Sequence, residues 1–192
     1  MVNLAEQIGS TKRDDATVTN PDRLRGATME PSIILTTIAG IAATFIGFAG
    51  VIFAIGRYSQ GAWREAERNA VFNLLVPATA ALFLALLPLV IATGPPAGPA
   101  LWRVYNAILV AVHLPLVASA ARLALRKQLI EPIPLRFVLI PGGFIAVLAN
   151  LIVVAGGLTS FTVLTYVAGL AWFLFVSAVQ LLMLVFSHTR DS

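Results

Sequence analysis

The residues of this chain that could do chemistry are concentrated in one apolar stretch, RVYNAILVAVHLPLVASAAR, which begins at Arg103. Arg103, Asn106 and His113 follow one another at intervals of three and seven residues. On a helix of 3.6 residues per turn they lie within about 80 degrees of one another. An arginine attracts anions, an amide donates and accepts hydrogen bonds, and a histidine takes up or releases a proton. The stretch therefore predicts a helix with one polar face.

Other apolar stretches add polar side chains at matching depths. Asn150 is expected near the level of Asn106, and Asn73 and Gln180 nearer the level of His113. We name the six residues the polar seam: Arg103, Asn106, His113, Asn150, Asn73 and Gln180. If they face one another they line a polar path, and if they face different neighbours they are interhelical hydrogen bonds.

Two members of the polar seam have ordinary structural interpretations. Arg103 is expected to extend to the lipid headgroups beside Trp102 and Tyr105, as part of an aromatic belt. His113 lies too deep for that, so we expect it to face the bundle interior and to bond to another helix.

The elements that position these residues are five long apolar runs. Of the 192 residues, 58% are hydrophobic and 11% are charged, whereas soluble domains are about a quarter charged. A membrane-spanning helix needs about 20 largely apolar residues. The five runs that meet this length are 32–55, 70–92, 100–123, 137–155 and 161–186. The sequence predicts an all-α integral membrane protein, in which a flexible, disordered N-terminal tail, 1–31, precedes a five-helix transmembrane bundle, 32–192.

The charges in the short loops predict the orientation. Arg57, Arg64 and Arg68 lie in one loop. The loop RLALRKQLIEPIPLR carries four more basic residues, whereas TGPPAGPA and GGLTS carry no charge. Because basic loops stay in the cytoplasm, we predict a multi-pass protein of the cell membrane with the N-terminus outside and the C-terminus in the cytoplasm.

Small residues and prolines predict how the helices pack. Ala39, Ala43 and Gly47 recur every four residues, and Ala42 and Gly50 are separated by twice that interval. This pattern lets helix backbones approach closely. It favours packing within the chain, with a second copy as the alternative.

Prolines predict helix kinks at Pro77, Pro115 and Pro141, all at similar depth. The kinks either open a cavity towards the cytoplasm or are accommodated locally. The sequence PGGF at 141–144 is expected to break its helix.

The residue types exclude several kinds of site. The chain has no cysteine, and every aspartate and glutamate lies outside the apolar runs. A bis-histidine haem is excluded because His188 lies at the membrane edge, and a retinal Schiff base because both lysines lie outside the runs. We predict no catalytic residue, metal or cofactor, no enzymatic activity and no nucleic acid partner.

Two functions agree with these observations. The favoured one is a structural or accessory component that packs against partner membrane helices, with the lipid bilayer and either a homo-oligomer or another membrane protein as partners. The alternative is a small channel or permease with a polar path along Arg103, Asn106, His113, Asn150 and Gln180.

Overall fold

The fold consists of five long helices. The computed structural model of the chain describes residues 30–58, 65–91, 98–125 and 133–188. The helices are α1 Pro31–Tyr58, α2 Glu65–Ile91, α3 Pro99–Leu125, α4 Ile133–Val154 and α5 Thr162–His188. A single 3-10 turn, Thr159–Phe161, precedes α5. The described residues contain no strand, and all five helices are long and apolar enough to cross a membrane. The all-helical prediction is confirmed.

The helix boundaries lie close to the predicted ones. Helix α1 begins at Pro31, the last residue of the predicted tail, and residues 1–29 lie outside the described residues. Helix α2 begins at Glu65 and α4 at Ile133, both earlier than the apolar runs alone indicate. The loops at 59–64, 92–97 and 126–132 lie outside the described residues.

Helix α5 is the centre of the bundle. Helices α1 and α2 pack against each other, as do α3 and α4, whereas these two pairs approach each other only slightly. Helix α5 contacts all four of the other helices. We call the end at which α1, α3 and α5 begin the tail end of the bundle. The fold is therefore two helix pairs joined through one helix.

The turn between α4 and α5 is tight and contains the sequence AGG. Gly156 has a φ of 95°, which is accessible to glycine at little cost. Its N–H donates to the carbonyl of Val153, and the N–H of Gly157 donates to that of Ile152. This is the Schellman arrangement, which satisfies the last carbonyls of a helix. It reverses the chain within a few residues and holds α4 beside α5.

The predicted break at PGGF is wrong, because α4 runs through Pro141 without interruption. Pro77 and Pro115 likewise lie inside continuous helices. The two glycines after Pro141 instead make room for neighbouring side chains. A Cβ on Gly142 would overlap the indole of Trp172 on α5, and one on Gly143 would lie 2.8 Å from Cγ2 of Val117 on α3. The two glycines therefore let side chains of α3 and α5 pack directly against the backbone of α4.

We expect Gly142→Ala to lower the free energy of unfolding by about 1–3 kcal/mol, because the new methyl group forces the Trp172 ring to move. Unfolding of the purified protein in detergent, followed by tryptophan fluorescence, measures this loss. Gly40→Ala is the matched control, because a Cβ there meets nothing within 4 Å. Equal stability of the two variants would contradict this account of the motif.

Candidate functional site

A proline on α2 leaves a backbone carbonyl without its helical donor, and a side chain of α5 supplies a replacement. Pro88 has no N–H, so the carbonyl of Leu84, four residues earlier, loses its usual helical donor. The hydroxyl of Tyr166 on α5 donates a hydrogen bond to that carbonyl, and both residues are buried. An unpaired carbonyl inside an apolar bundle is costly. The bond therefore fixes the depth at which α5 lies against α2.

Tyr166 belongs to a buried aromatic cluster with Trp102 and Tyr105 of α3. The ring centres of Trp102 lie 5.4 Å from those of Tyr105 and 5.8 Å from those of Tyr166. Trp102 and Tyr105 are 9% and 1% exposed. The expectation that these two rings form an aromatic belt at the membrane surface is therefore wrong. They fill the space between α2, α3 and α5 instead.

Asn106 joins α3 to α5 through its side-chain amide. Its Nδ2 donates to the carbonyls of Trp102, at 2.7 Å, and of Thr162, at 3.0 Å. Its Oδ1 accepts a bond from the hydroxyl of Thr165 at 3.3 Å. Asn106 is fully buried. The bonds to Thr162 and Thr165 hold the two helices together, and both amide hydrogens are used within the bundle.

Asn150 of α4 and His113 of α3 lie farther from the tail end than Asn106 does. Each has a polar atom without a hydrogen-bond partner. Asn150 donates to the carbonyl of Ala146, but its Oδ1 has no partner. A Cβ on Gly169 would come within 3.2 Å of its amide nitrogen, so Asn150 lies directly against α5. The His113 ring lies 4.4 Å from that of Phe173, and its Nδ1 is also unpartnered.

The structure brings four members of the polar seam to α5 and places two elsewhere. Asn106, His113, Asn150 and Gln180 are all at least nine-tenths buried, and Gln180 is part of α5 itself. Asn73 is exposed on α2. Arg103 is half-buried near the tail end, and its Nε is covered and unpartnered. The polar face of α3 therefore turns inward, but Asn73 does not join it.

Comparisons with protein-family models, with curated proteins and with solved structures found no match. Among the described residues, no three histidine, aspartate or glutamate side chains gather where they could hold a metal ion. The function has to be argued from the geometry of the bundle.

Helix α1 has two different sides. Leu35, Ile38, Ala39 and Ala42 are buried in the core that α1 shares with α2, α3 and α5. Six small residues on another side are all exposed: Thr36, Gly40, Ala43, Gly47, Gly50 and Ala54. We name this set the small-residue face of α1. A Cβ on any of its three glycines would meet nothing within 4 Å.

Sequence reasoning did not foresee several pairings that determine the packing. One is the bond from Tyr166 to the Leu84 carbonyl that Pro88 leaves without a donor. Another is at Ser177, whose one hydroxyl hydrogen is shared between the carbonyls of Phe173 on its own helix, at 3.0 Å, and Leu74 on α2, at 3.3 Å. The signal for Pro88 was present, because a proline inside a helix always removes the donor to the carbonyl four residues earlier. The partner could not be read from the sequence, because several hydroxyls lie at similar depths.

We expect Tyr166→Phe to lower the free energy of unfolding by about 1–3 kcal/mol, because it leaves the Leu84 carbonyl buried without a donor. Denaturation of the purified protein in mixed detergent micelles measures this loss. Tyr105→Phe is the matched control in the same cluster. The Tyr105 hydroxyl is buried without a partner, so its removal should cost nothing or should stabilise the bundle. An equal loss in both variants would contradict the assignment.

Proposed function

We propose that the protein is a structural or accessory component of a membrane, and that it binds another transmembrane helix on the small-residue face of α1. The five long apolar helices and the apolar side chains on their outer surfaces support insertion in a bilayer. The exposed small-residue face is the single observation that carries the proposed role.

The spacing of the small-residue face favours a helix as the partner. Its residues from Thr36 to Ala54 follow one another at intervals of four, three, four, three and four. A repeat of 3.5 residues keeps one side of a helix against a neighbour in a left-handed crossing. In lipid, small residues let the two backbones approach and gain dispersion contacts. Contact with lipid chains alone does not require small residues at this spacing over five helical turns.

The hydroxyl groups on this side of α1 are already satisfied within the helix. Thr36 donates to the carbonyl of Ser32 at 2.8 Å, and Thr44 to that of Gly40 at 2.9 Å. They therefore present methyl groups rather than free donors to a neighbour. An apolar partner helix that packs on this surface therefore buries no hydroxyl donor that lacks a hydrogen bond.

The alternative, a channel or permease, has one observation in its favour. Asn106, His113, Asn150 and Gln180 are buried on or against α5, as a polar path would require. Both amide hydrogens of Asn106 are bonded to carbonyls of α3 and α5, and the His113 ring packs on Phe173. These contacts favour interhelical bonding, which is why we propose the accessory role first.

Photo-crosslinking in the host membrane tests the proposed contact. A small diazirine side chain at Ala43 or Gly50 should form adducts with another protein chain, whereas one at Ile41 or Phe48 should not. All four positions are exposed, but only the first two lie on the small-residue face. Gly47→Leu should abolish the adducts, because a leucine holds the two backbones apart.

Phe48→Leu is the matched control, because it places the same side chain on the neighbouring position, 100 degrees around the helix. It should leave the adducts unchanged. Gly47→Leu should also leave the stability of the isolated bundle unchanged, since nothing surrounds Gly47. Similar adduct yields at all four positions would contradict the proposal.

We further propose that the N-terminus lies outside the cell and the C-terminus in the cytoplasm, as the basic loops indicate. The natural chain has no cysteine, so a single introduced cysteine reports its own location. On intact cells, a membrane-impermeant maleimide should label the Ser10→Cys variant and should label Ser192→Cys only after lysis. The reverse pattern would contradict this orientation.

A further inference from the structure

Two buried polar atoms where α3, α4 and α5 meet have no hydrogen-bond partner among the described residues. They are Oδ1 of Asn150 and Nδ1 of His113. The two side chains are only 1% and 2% exposed. An unpaired polar atom is costly inside an apolar bundle, and nearly all buried polar atoms in proteins bond to the protein or to an ordered water.

Asn150 and Leu109 meet at one glycine of α5. A Cβ placed on Gly169 would lie 2.6 Å from Cδ2 of Leu109 and 3.2 Å from Nδ2 of Asn150. Side chains of α3 and α4 therefore lie against the backbone of α5 at the same level. The Nδ2 of Asn150 already donates to the carbonyl of Ala146, so Oδ1 is the atom of this amide that needs a partner.

His113 lies one helical turn farther from the tail end. It follows Leu109 by four residues on α3. Its ring packs on Phe173, which follows Gly169 by four residues on α5. Four residues span about 6 Å along a helix. The two unpaired atoms therefore belong to neighbouring turns of the same three-helix contact.

The packing of α4 on α3 gives the same spacing. Val147 of α4 forms a buried cluster with Val110 and Val117, which lie three residues before and four residues after His113. Val147 is therefore at the level of His113. Asn150 follows Val147 by three residues, which places it about 4–5 Å nearer the tail end.

We propose that one water molecule binds at this contact and bridges Oδ1 of Asn150 and Nδ1 of His113. Two hydrogen bonds of about 2.8 Å each reach across a separation of one helical turn. Water donates one hydrogen to the amide oxygen, and it can donate to or accept from the imidazole nitrogen. It therefore pairs with either tautomer of His113. We call this contact the water site.

The burial of the two side chains selects a ligand of the size of water. A lipid hydroxyl would have to bring its chains between helices that already enclose both residues. A buried water usually makes two to four hydrogen bonds to polar groups that would otherwise be unpaired, and the water site supplies two such groups on different helices.

A single bound water joins α3 to α4 and does not form a transport path. Towards the tail end, the next polar side chain on α3 is Asn106, and both of its amide hydrogens are bonded to carbonyls of the bundle. The water site is independent of the partner of α1 and of the orientation proposed above.

Nuclear magnetic resonance of the purified full-length chain in deuterated detergent tests the water site. The chain has two histidines, so His188→Gln assigns the signals of His113. We expect magnetisation transfer from water to Hε1 of the His113 ring, which is adjacent to Nδ1. Transfer to Hδ2 should be much weaker, because Hδ2 is adjacent to Nε2.

Asn150→Leu should abolish this transfer, because it removes one of the two partners of the water. Asn73→Leu is the matched control, because it makes the same change at an asparagine that is exposed on α2. It should leave the transfer to His113 unchanged. The measurement on the natural chain stands even if Asn150→Leu does not fold.

A double-mutant cycle provides a second readout. Asn150→Leu and His113→Phe should each raise the unfolding equilibrium constant by about tenfold, because each breaks the bridge and leaves the other polar atom unpaired. The double variant should raise it by clearly less than the product of the two, because the bridge is lost only once.

Four results would overturn the proposal. They are no transfer to Hε1 in the natural chain, transfer that persists in Asn150→Leu, and fully multiplicative effects in the cycle. The fourth is transfer from water to a continuous series of buried side chains on both sides of His113, which would indicate a hydrated path instead of one bound water.

Discussion

The bundle depends on hydrogen bonds from side chains to backbone carbonyls at the contacts between α5 and its neighbours. Apolar contacts alone fix the relative depth of two packed helices only weakly, because a leucine can pack at more than one position. A hydrogen bond to a buried carbonyl fixes that depth, because the donor has to lie beside one particular oxygen. The bond from Tyr166 to Leu84 and the bond from Asn106 to Thr162 fix α5 against α2 on one side and against α3 on the other. Ser177 adds a longer bond of the same kind to the Leu74 carbonyl of α2, and the core around these bonds is largely apolar.

The same alignment explains why large aromatic rings lie in the core. Helices α2 and α3 have few close backbone contacts, so the space between them needs bulky side chains. Trp102 and Tyr105 of α3 fill it with Tyr166 of α5, beside the small residues Ala81 and Ala85 of α2. At the contact with α4, the neighbouring helix has the small residues, Gly142 and Gly143, and α5 has the large side chain, Trp172. Large and small residues therefore alternate around α5, as close packing requires.

Much of the fold could be predicted from the sequence, and the limits are specific. The apolar runs gave five helices because their length exceeds what a buried soluble helix needs, and AGG gave the α4–α5 turn because only glycine adopts a φ near 95° at little cost. Helical spacing correctly grouped Asn106 and His113 on one inward side of α3. It could not place Asn73, because spacing fixes angles within one helix but does not say where the neighbouring helix lies.

Two predictions are wrong for the same reason, which is that one residue pattern is typical of two different structures. Aromatic residues near a helix end are typical of a membrane surface and equally of a packed core, so Trp102 and Tyr105 were assigned to the wrong one. Proline followed by two glycines is typical of a break and also of a close helix contact, and Gly142 serves the second purpose. In both cases a residue on α5 decides the outcome, Tyr166 for the rings and Trp172 for the glycines.

The central position of α5 also has a consequence for biosynthesis. Ribosomes make α5 after the other four helices, although it is the helix that joins the two pairs. Until it emerges, little holds the α1–α2 pair to the α3–α4 pair. The Leu84 carbonyl then lacks its donor, and Asn106 lacks its bonds to Thr162 and Thr165. The joining of the two pairs is therefore a later step of assembly than the formation of either pair, and the polar groups that α5 covers are open to other contacts until it takes place.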